Sequence, residues 1–145
     1  MRVLVQRCDR ACVKVDDKIV GQIGMGVMIL VGITHDDDSK KIDYLVDKLI
    51  NLRIFDDENG VMNKSLLDVS GSILSISQFT LYADTKKGRR PSYVDAMSGD
   101  KAKALYDEFN EKLRNTGVKV ETGIFGADMK VDFINDGPIT IMLEK

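Results

Sequence analysis

The chain predicts a mixed α/β fold with a largely antiparallel sheet, arranged as β layers with two main helices packed outside. Three observations lead there. Short runs rich in β-branched residues fill the first third and the last quarter of the sequence, turn residues separate them, and two longer segments repeat apolar residues at helical spacing behind a capping residue. With 145 residues and neither an internal repeat nor a low-complexity linker, residues 1–145 are expected to form a single domain, which buries roughly 70% of the surface its unfolded chain exposes.

Met1 to Cys8 and Ala11 to Val15 read as strands, with Val13 and Val15 on one face and a hairpin bend between Cys8 and Cys12. Asp16-Asp17 makes a turn into a return strand, Lys18 to Ile23, which Gly24-Met25-Gly26 ends. The run Val27-Met28-Ile29-Leu30-Val31-Gly32-Ile33 is short and almost wholly apolar, so it predicts a central strand buried on both faces. Asp36-Asp37-Asp38-Ser39 then offers N-caps and negative charge for a helix whose Ile42, Leu45, Val46, Leu49 and Ile50 share one face, running to about Arg53. The acidic run itself reads as a solvated helix terminus.

Arg53-Ile54-Phe55 and Val61-Met62 flank Asp56-Asp57-Glu58-Asn59-Gly60, where Asn-Gly predicts a hairpin. Ser72 to Leu81 reads as a largely buried strand that empties into a basic loop, Thr85-Lys86-Lys87-Gly88-Arg89-Arg90-Pro91-Ser92. Ser98-Gly99-Asp100 opens a second helix, in which Ala102, Leu105, Tyr106, Phe109 and Leu113 form an apolar stripe before Gly117 stops it. Strands at Val118 to Glu121, Met129 to Ile134 and Ile139 to Leu143 complete the chain, with Gly137-Pro138 as a stiff turn ahead of the last.

Hydrophobic content of 43% and charged content of 30% are ordinary for a globular protein. No apolar run approaches the roughly 20 residues of a membrane span, and the charged opening Met1-Arg2-Val3-Leu4-Val5-Gln6-Arg7 does not read as a signal peptide, so a cytoplasmic protein without a membrane partner is expected. A net charge of −2 argues against bulk electrostatic capture of nucleic acid, which confines any RNA contact to a local patch. Cys8 and Cys12 read as apolar fillers, and His35 is the one histidine.

The usual catalytic parts are scarce. There is no G-x-x-x-x-G-K-[ST] loop, no G-x-G-x-x-G after a strand, no G-x-S-x-G elbow and no cluster of metal ligands, so neither a metal nor another cofactor is expected. What remains is Ser77-Gln78-Phe79-Thr80, where hydroxyls, an amide and strand-end N–H groups could hold a developing oxyanion. The ordinary alternative is that Ser77 and Thr80 hydrogen-bond within the sheet. Lys86, Lys87, Arg89 and Arg90 suit phosphate contact, and a solvated basic loop is their ordinary alternative.

Four segments together, Met-Arg-Val-Leu-Val-Gln-Arg at the start, Ser77-Gln78-Phe79-Thr80, Gly-Arg-Arg-Pro-Ser at 88 to 92, and Asn135-Asp136-Gly137-Pro138-Ile139-Thr140, closely resemble the D-aminoacyl-tRNA deacylase family. The resemblance spans essentially the whole chain. It implies a three-layer homodimer that hydrolyses the ester bond of D-aminoacyl-tRNA, with Ser77, Gln78, Phe79 and Thr80 as the catalytic segment. It also implies that Gly137-Pro138 is cis, enters the other subunit's active site and acts as a chiral filter.

Main-chain carbonyls set against the substrate α-carbon leave room for hydrogen and reject a side chain, so D-aminoacyl and glycyl esters pass while L-aminoacyl esters clash. By the same resemblance Met129 and Ala102 line the pocket, and Lys86, Lys87, Arg89 and Arg90 hold the tRNA acceptor end. Two mechanisms stay open: attack by Thr80, or activation of water with help from the 2′-hydroxyl of the terminal adenosine while N–H groups near Ser77, Gln78 and Phe79 hold the oxyanion. A non-catalytic tRNA-binding module and a structural dimerisation domain are the competing readings.

Overall fold

The computed structural model describes residues 1–145. Its organising element is β1 (Arg2–Val15), one strand of 14 residues. The first half of β1 pairs antiparallel with β3 (Gly26–Gly32), from Arg2↔Gly32 to Cys8↔Gly26. The second half pairs antiparallel with β2 (Lys18–Ile23) across a two-residue turn in which Asp16 and Asp17 both have positive φ, the geometry that matches strand twist. Along its other side β1 pairs with β8 (Lys130–Glu144). Beyond β3 the sheet continues in parallel through β6 (Ser72–Ser77) to β7 (Val120–Thr122), giving the order β2-β1-β3-β6-β7 with β8 against β1. β4 (Phe55–Asp56) and β5 (Met62–Lys64) form a separate hairpin at the predicted Asn59-Gly60 turn.

Two apolar clusters occupy opposite faces of the sheet. On one, Val3, Val5, Val27, Ile29 and Ile73 pack against α1 (Ser39–Ile50) and α2 (Gly99–Asn115) through Ile42, Leu45, Leu49, Phe109 and Leu113. On the other, Cys8, Ala11, Val13 and Ile23 pack against Met28, Leu74 and Ile76. There β2 folds over the parallel strands so closely that a Cβ on Gly21 would lie 2.8 Å from the Thr122 carbonyl oxygen and 3.3 Å from Leu74. The result is the expected arrangement, β layers of largely antiparallel strands with two main helices outside.

Both helices start where their caps predict. The Asp38 carboxylate accepts from the Lys41 N–H at 3.0 Å, and Ser98 precedes α2. α1 stops at Ile50, three residues short of Arg53, where Asn51 caps it. Asp37 departs from the reading of a solvated acidic run. Its carboxylate is fully buried, accepts from the Thr34 N–H at 2.8 Å and pairs with the Met1 ammonium at 2.5 Å.

Three strand boundaries differ from expectation. No hairpin separates Cys8 from Cys12; β1 runs through, with register shifts against β8 on both sides of Cys8. The strands expected at Met129 to Ile134 and Ile139 to Leu143 are one strand, β8, which begins at Lys130, so Gly137-Pro138 interrupts a strand rather than preceding one. Strands that pass between two β layers bend at bulges, and a bulge carries the same residue types as a turn. The segment read as a strand to Leu81 ends at Ser77.

Candidate active site

A cleft of about 460 Å³ opens where the parallel strands β3 and β6 end. Strand β6 contributes Ile76 and Ser77, the N-terminal turn of α2 contributes Ser98, Gly99 and Ala102, and the segment after β7 contributes Phe125 and Met129. Each wall has a local cause. The Gln78 N–H donates to the Val31 carbonyl at 2.7 Å as the last rung beside β3, after which the chain turns through a 3₁₀ segment, Phe79–Tyr82. Gly32 permits this turn to lie on the end of β3: a Cβ there would sit 3.0 Å from Leu81 Cβ and 3.2 Å from the Gln78 oxygen. The Tyr106 hydroxyl donates to the buried Ser75 carbonyl at 2.8 Å, tying α2 to β6, and burial pushes that phenol's pKa up. Phe125 rests against the Tyr106 ring at 5.8 Å.

The 3₁₀ segment brings polar groups to the edge of the cleft. The Leu81 N–H donates to the Gln78 carbonyl at 3.3 Å and the Ala83 N–H to Thr80 at 3.0 Å. The N–H groups of Phe79 and Thr80 head the turn, where a helical segment offers them no internal acceptor. The Thr80 hydroxyl accepts from Gln78 Nε2 at 2.6 Å. No imidazole stands beside it: His35 Nε2 lies 2.9 Å from the Val94 carbonyl.

Of the residues singled out in the sequence, the cleft therefore gathers Ser77, Gln78, Phe79, Ala102 and Met129. Thr80 is exposed at its rim, attached through Gln78. Lys86, Lys87, Arg89 and Arg90 are exposed on a loop closed at its neck by paired bonds, Asp84 N–H to Ser92 carbonyl at 2.8 Å and the reverse at 2.9 Å. Phe125 and Met97 also line the cleft without having been singled out. Phe125 lies between Gly123 and Gly126, and that pattern marks a loop without marking a pocket.

Gly137 and Pro138 lie outside the cleft of their own chain. They ride on a bulge of β8, since β1 and β8 pair at Gln6↔Thr140 and next at Cys8↔Asn135, leaving residues 136–139 looped out. Both are exposed, Gly137 has φ +112°, and the Gly137-Pro138 peptide bond is cis. Two side chains hold the bulge. Arg7 is only 8% exposed, with Nε 2.7 Å from the Asp136 carboxylate and Nη1 donating to the Ile54 carbonyl at 2.7 Å. Asn135, with its amide nitrogen toward the acceptors, donates to the Arg7 carbonyl at 3.0 Å and to the Ile139 carbonyl at 3.1 Å, bridging the base of the loop. Sequence reasoning missed this clamp, although one signal existed: Arg7 continues the inward alternation Val3, Val5, where a charge is costly without a partner.

The chain is similar to known proteins along essentially its whole length. A family model described as D-Tyr-tRNA(Tyr) deacylase matches residues 4–144. A protein named D-aminoacyl-tRNA deacylase from Limosilactobacillus reuteri (strain DSM 20016) is 57% identical over 145 residues, covering 100% of both chains. A protein of the same name from Bacillus cereus (strain B4264) is 58% identical over 144 residues, covering 99% of each. A solved structure described as c-Myc DNA Unwinding Element Binding Protein superposes with a TM-score of 0.94 at 41% identity, covering 100% of this chain and 99% of that one.

Proposed function

The chain belongs to the D-Tyr-tRNA(Tyr) deacylase family and hydrolyses D-aminoacyl-tRNA, and from that premise we propose that main-chain atoms carry out most of its chemistry. The observation that carries the proposal is the end of β6 inside the cleft, where the Phe79 and Thr80 N–H groups begin a 3₁₀ turn beside Ser77 and Gln78. The terminal aminoacyl-adenosine enters the cleft with its ester carbonyl toward these N–H groups. Water adds to the carbonyl carbon, the oxyanion forms against the N–H donors, the bond to the ribose 3′-oxygen breaks, and that oxygen leaves with a proton. Free D-amino acid and tRNA are the products.

The terminal 2′-hydroxyl helps activate the water. Thr80 does not attack: its hydroxyl is a hydrogen-bond acceptor for Gln78 with no base beside it. A donor placed for the oxyanion contributes about 3 kcal/mol to such a step.

Selectivity comes from Gly137 and Pro138 of the partner subunit in a homodimer. Both residues are exposed and lie away from their own cleft, which supports a role in another chain's site. β8 pairs with β1 alone, so its outer edge is open along the strand that carries them. Their carbonyls face the substrate α-carbon, where hydrogen fits and an L side chain does not, so glycyl-tRNA is a second substrate. Lys86, Lys87, Arg89 and Arg90 contact acceptor-end phosphates, and Ala102 and Met129 wall the pocket.

Incubation with D-tyrosyl-, L-tyrosyl- and glycyl-tRNA tests this reading, with release of the D- and glycyl esters and survival of the L-ester expected. Equal hydrolysis of D and L removes the filter. Binding of charged tRNA without hydrolysis of any ester makes the protein a tRNA-binding module.

A further inference from the structure

We propose that the Phe79–Tyr93 ring pair is a stacking platform for the unpaired base that precedes the terminal adenosine, a role that rests on the deacylase reading of the cleft. The rings meet edge to face, with centroids 5.0 Å apart and planes at 69°. Aromatic pairs of this geometry usually sit in cores. Here Phe79 is 53% exposed and Tyr93 40% exposed, and Phe79 is itself a wall of the cleft.

The backbone around Tyr93 is fixed at several points. Ser92 exchanges both hydrogen bonds with Asp84, the Ala96 N–H donates to the Tyr93 carbonyl at 3.0 Å, and the Thr34 hydroxyl donates to the Asp95 carbonyl at 2.6 Å. His35 holds the Val94 carbonyl at 2.9 Å. A ring anchored in this way loses little conformational freedom when it binds.

Its position points to a nucleobase. Tyr93 follows the neck from which the loop with Lys86, Lys87, Arg89 and Arg90 springs. Single-stranded nucleic acid is held by this combination: cationic side chains along the backbone and aromatic faces under the bases. With the terminal nucleoside in the cleft, the strand leaves past Phe79 toward the basic loop, and the first base outside meets Tyr93. Stacking supplies affinity that a chain of net charge −2 does not gain from its overall field.

The test is a binding cycle with uncharged tRNA carrying either the natural residue or an abasic residue at the penultimate position. Removing the base should weaken binding to the unaltered protein about tenfold. Tyr93→Ala and Tyr93→Leu should each show a similar loss with intact tRNA and no further loss with the abasic form, while Tyr93→Phe behaves like the parent. An abasic effect that is missing from the parent, or undiminished in Tyr93→Ala, overturns the proposal. So does a Tyr93→Ala protein whose affinity falls only because its dimer dissociates, which would assign the ring to the subunit interface. The cycle reads binding of the reaction product, so a failure of ester hydrolysis would count against the catalytic reading and leave this result standing.

Discussion

At Thr80 the proposed mechanism turns on one hydrogen bond. Gln78 Nε2 donates to the hydroxyl at 2.6 Å, and no base is positioned to take its proton, so Thr80→Ala should hold kcat within about fivefold of the parent. A substrate ending in 2′-deoxyadenosine should lose about a hundredfold or more, the scale of a lost acid–base group; single-turnover hydrolysis reads both numbers, and the opposite ranking would make Thr80 the nucleophile. Arg7 is a positioning residue. Arg7→Ala strips Asp136 of its cation and leaves the Ile54 carbonyl without a donor, so urea denaturation should show a loss of about 1–3 kcal/mol. The same variant should hydrolyse L-tyrosyl-tRNA measurably, because the bulge bearing Gly137 is no longer held. Cys8 lies in the second apolar cluster, and burial raises its thiol from 9.0 to about 11. A raised acid keeps its proton in the fold while the unfolded chain loses it, so this contribution to stability is intact below pH 9 and fades from pH 9 to 11. Equilibrium unfolding across that range should show the decline, and Cys8→Ala should make it shallower, with buried Tyr106 contributing the same sign at the upper end.

Element by element, legibility followed how local each cause was. The two helices could be read because Asp38 and Ser98 stand at their starts and one apolar stripe marks each buried face. The hairpin at Asn59-Gly60 could be read because Gly60 takes φ +74° and the Asp57 carboxylate accepts from the Asn59 and Val61 N–H groups. The 3₁₀ turn could not, since Phe79 and Leu81 extend the apolar character of β6, whereas the chain turns there and packs on the end of β3 at Gly32. Nor could the continuity of β1 and β8, because a bulge and a turn use the same residues and the choice depends on the neighbouring strand. The segment proposed as catalytic thus has a shape that its residues did not disclose. Gly32→Ala tests the shape: its Cβ would displace the turn by a few tenths of an ångström, so kcat should fall about tenfold, with KM and thermal stability changing little. Phe109→Ala, in the fully buried face of α2, should instead cost about 3–5 kcal/mol of stability in denaturant titrations.

For the whole molecule, the decisive question is which chain supplies the proposed filter. Cleft-defective Gly32→Ala and clamp-defective Arg7→Ala subunits, refolded together, should regain D-selective hydrolysis, because one site of each mixed dimer then pairs an intact cleft with an intact bulge. A filter acting within its own chain predicts no recovery. No helix is long and apolar enough to cross a membrane, and β8, paired with β1 alone, leaves an open edge available to the proposed homodimer. The clamped bulge of β8 also bears on how this protein can change over generations. A side-chain change in the cleft leaves the Gly137 and Pro138 carbonyls in place; changes that move them fall at Gly137 and Pro138 themselves and at Arg7, Asn135 and Asp136, which hold the bulge. Under the proposed filter, discrimination between mirror images would be separable from the side chains that set the pocket's substrate range.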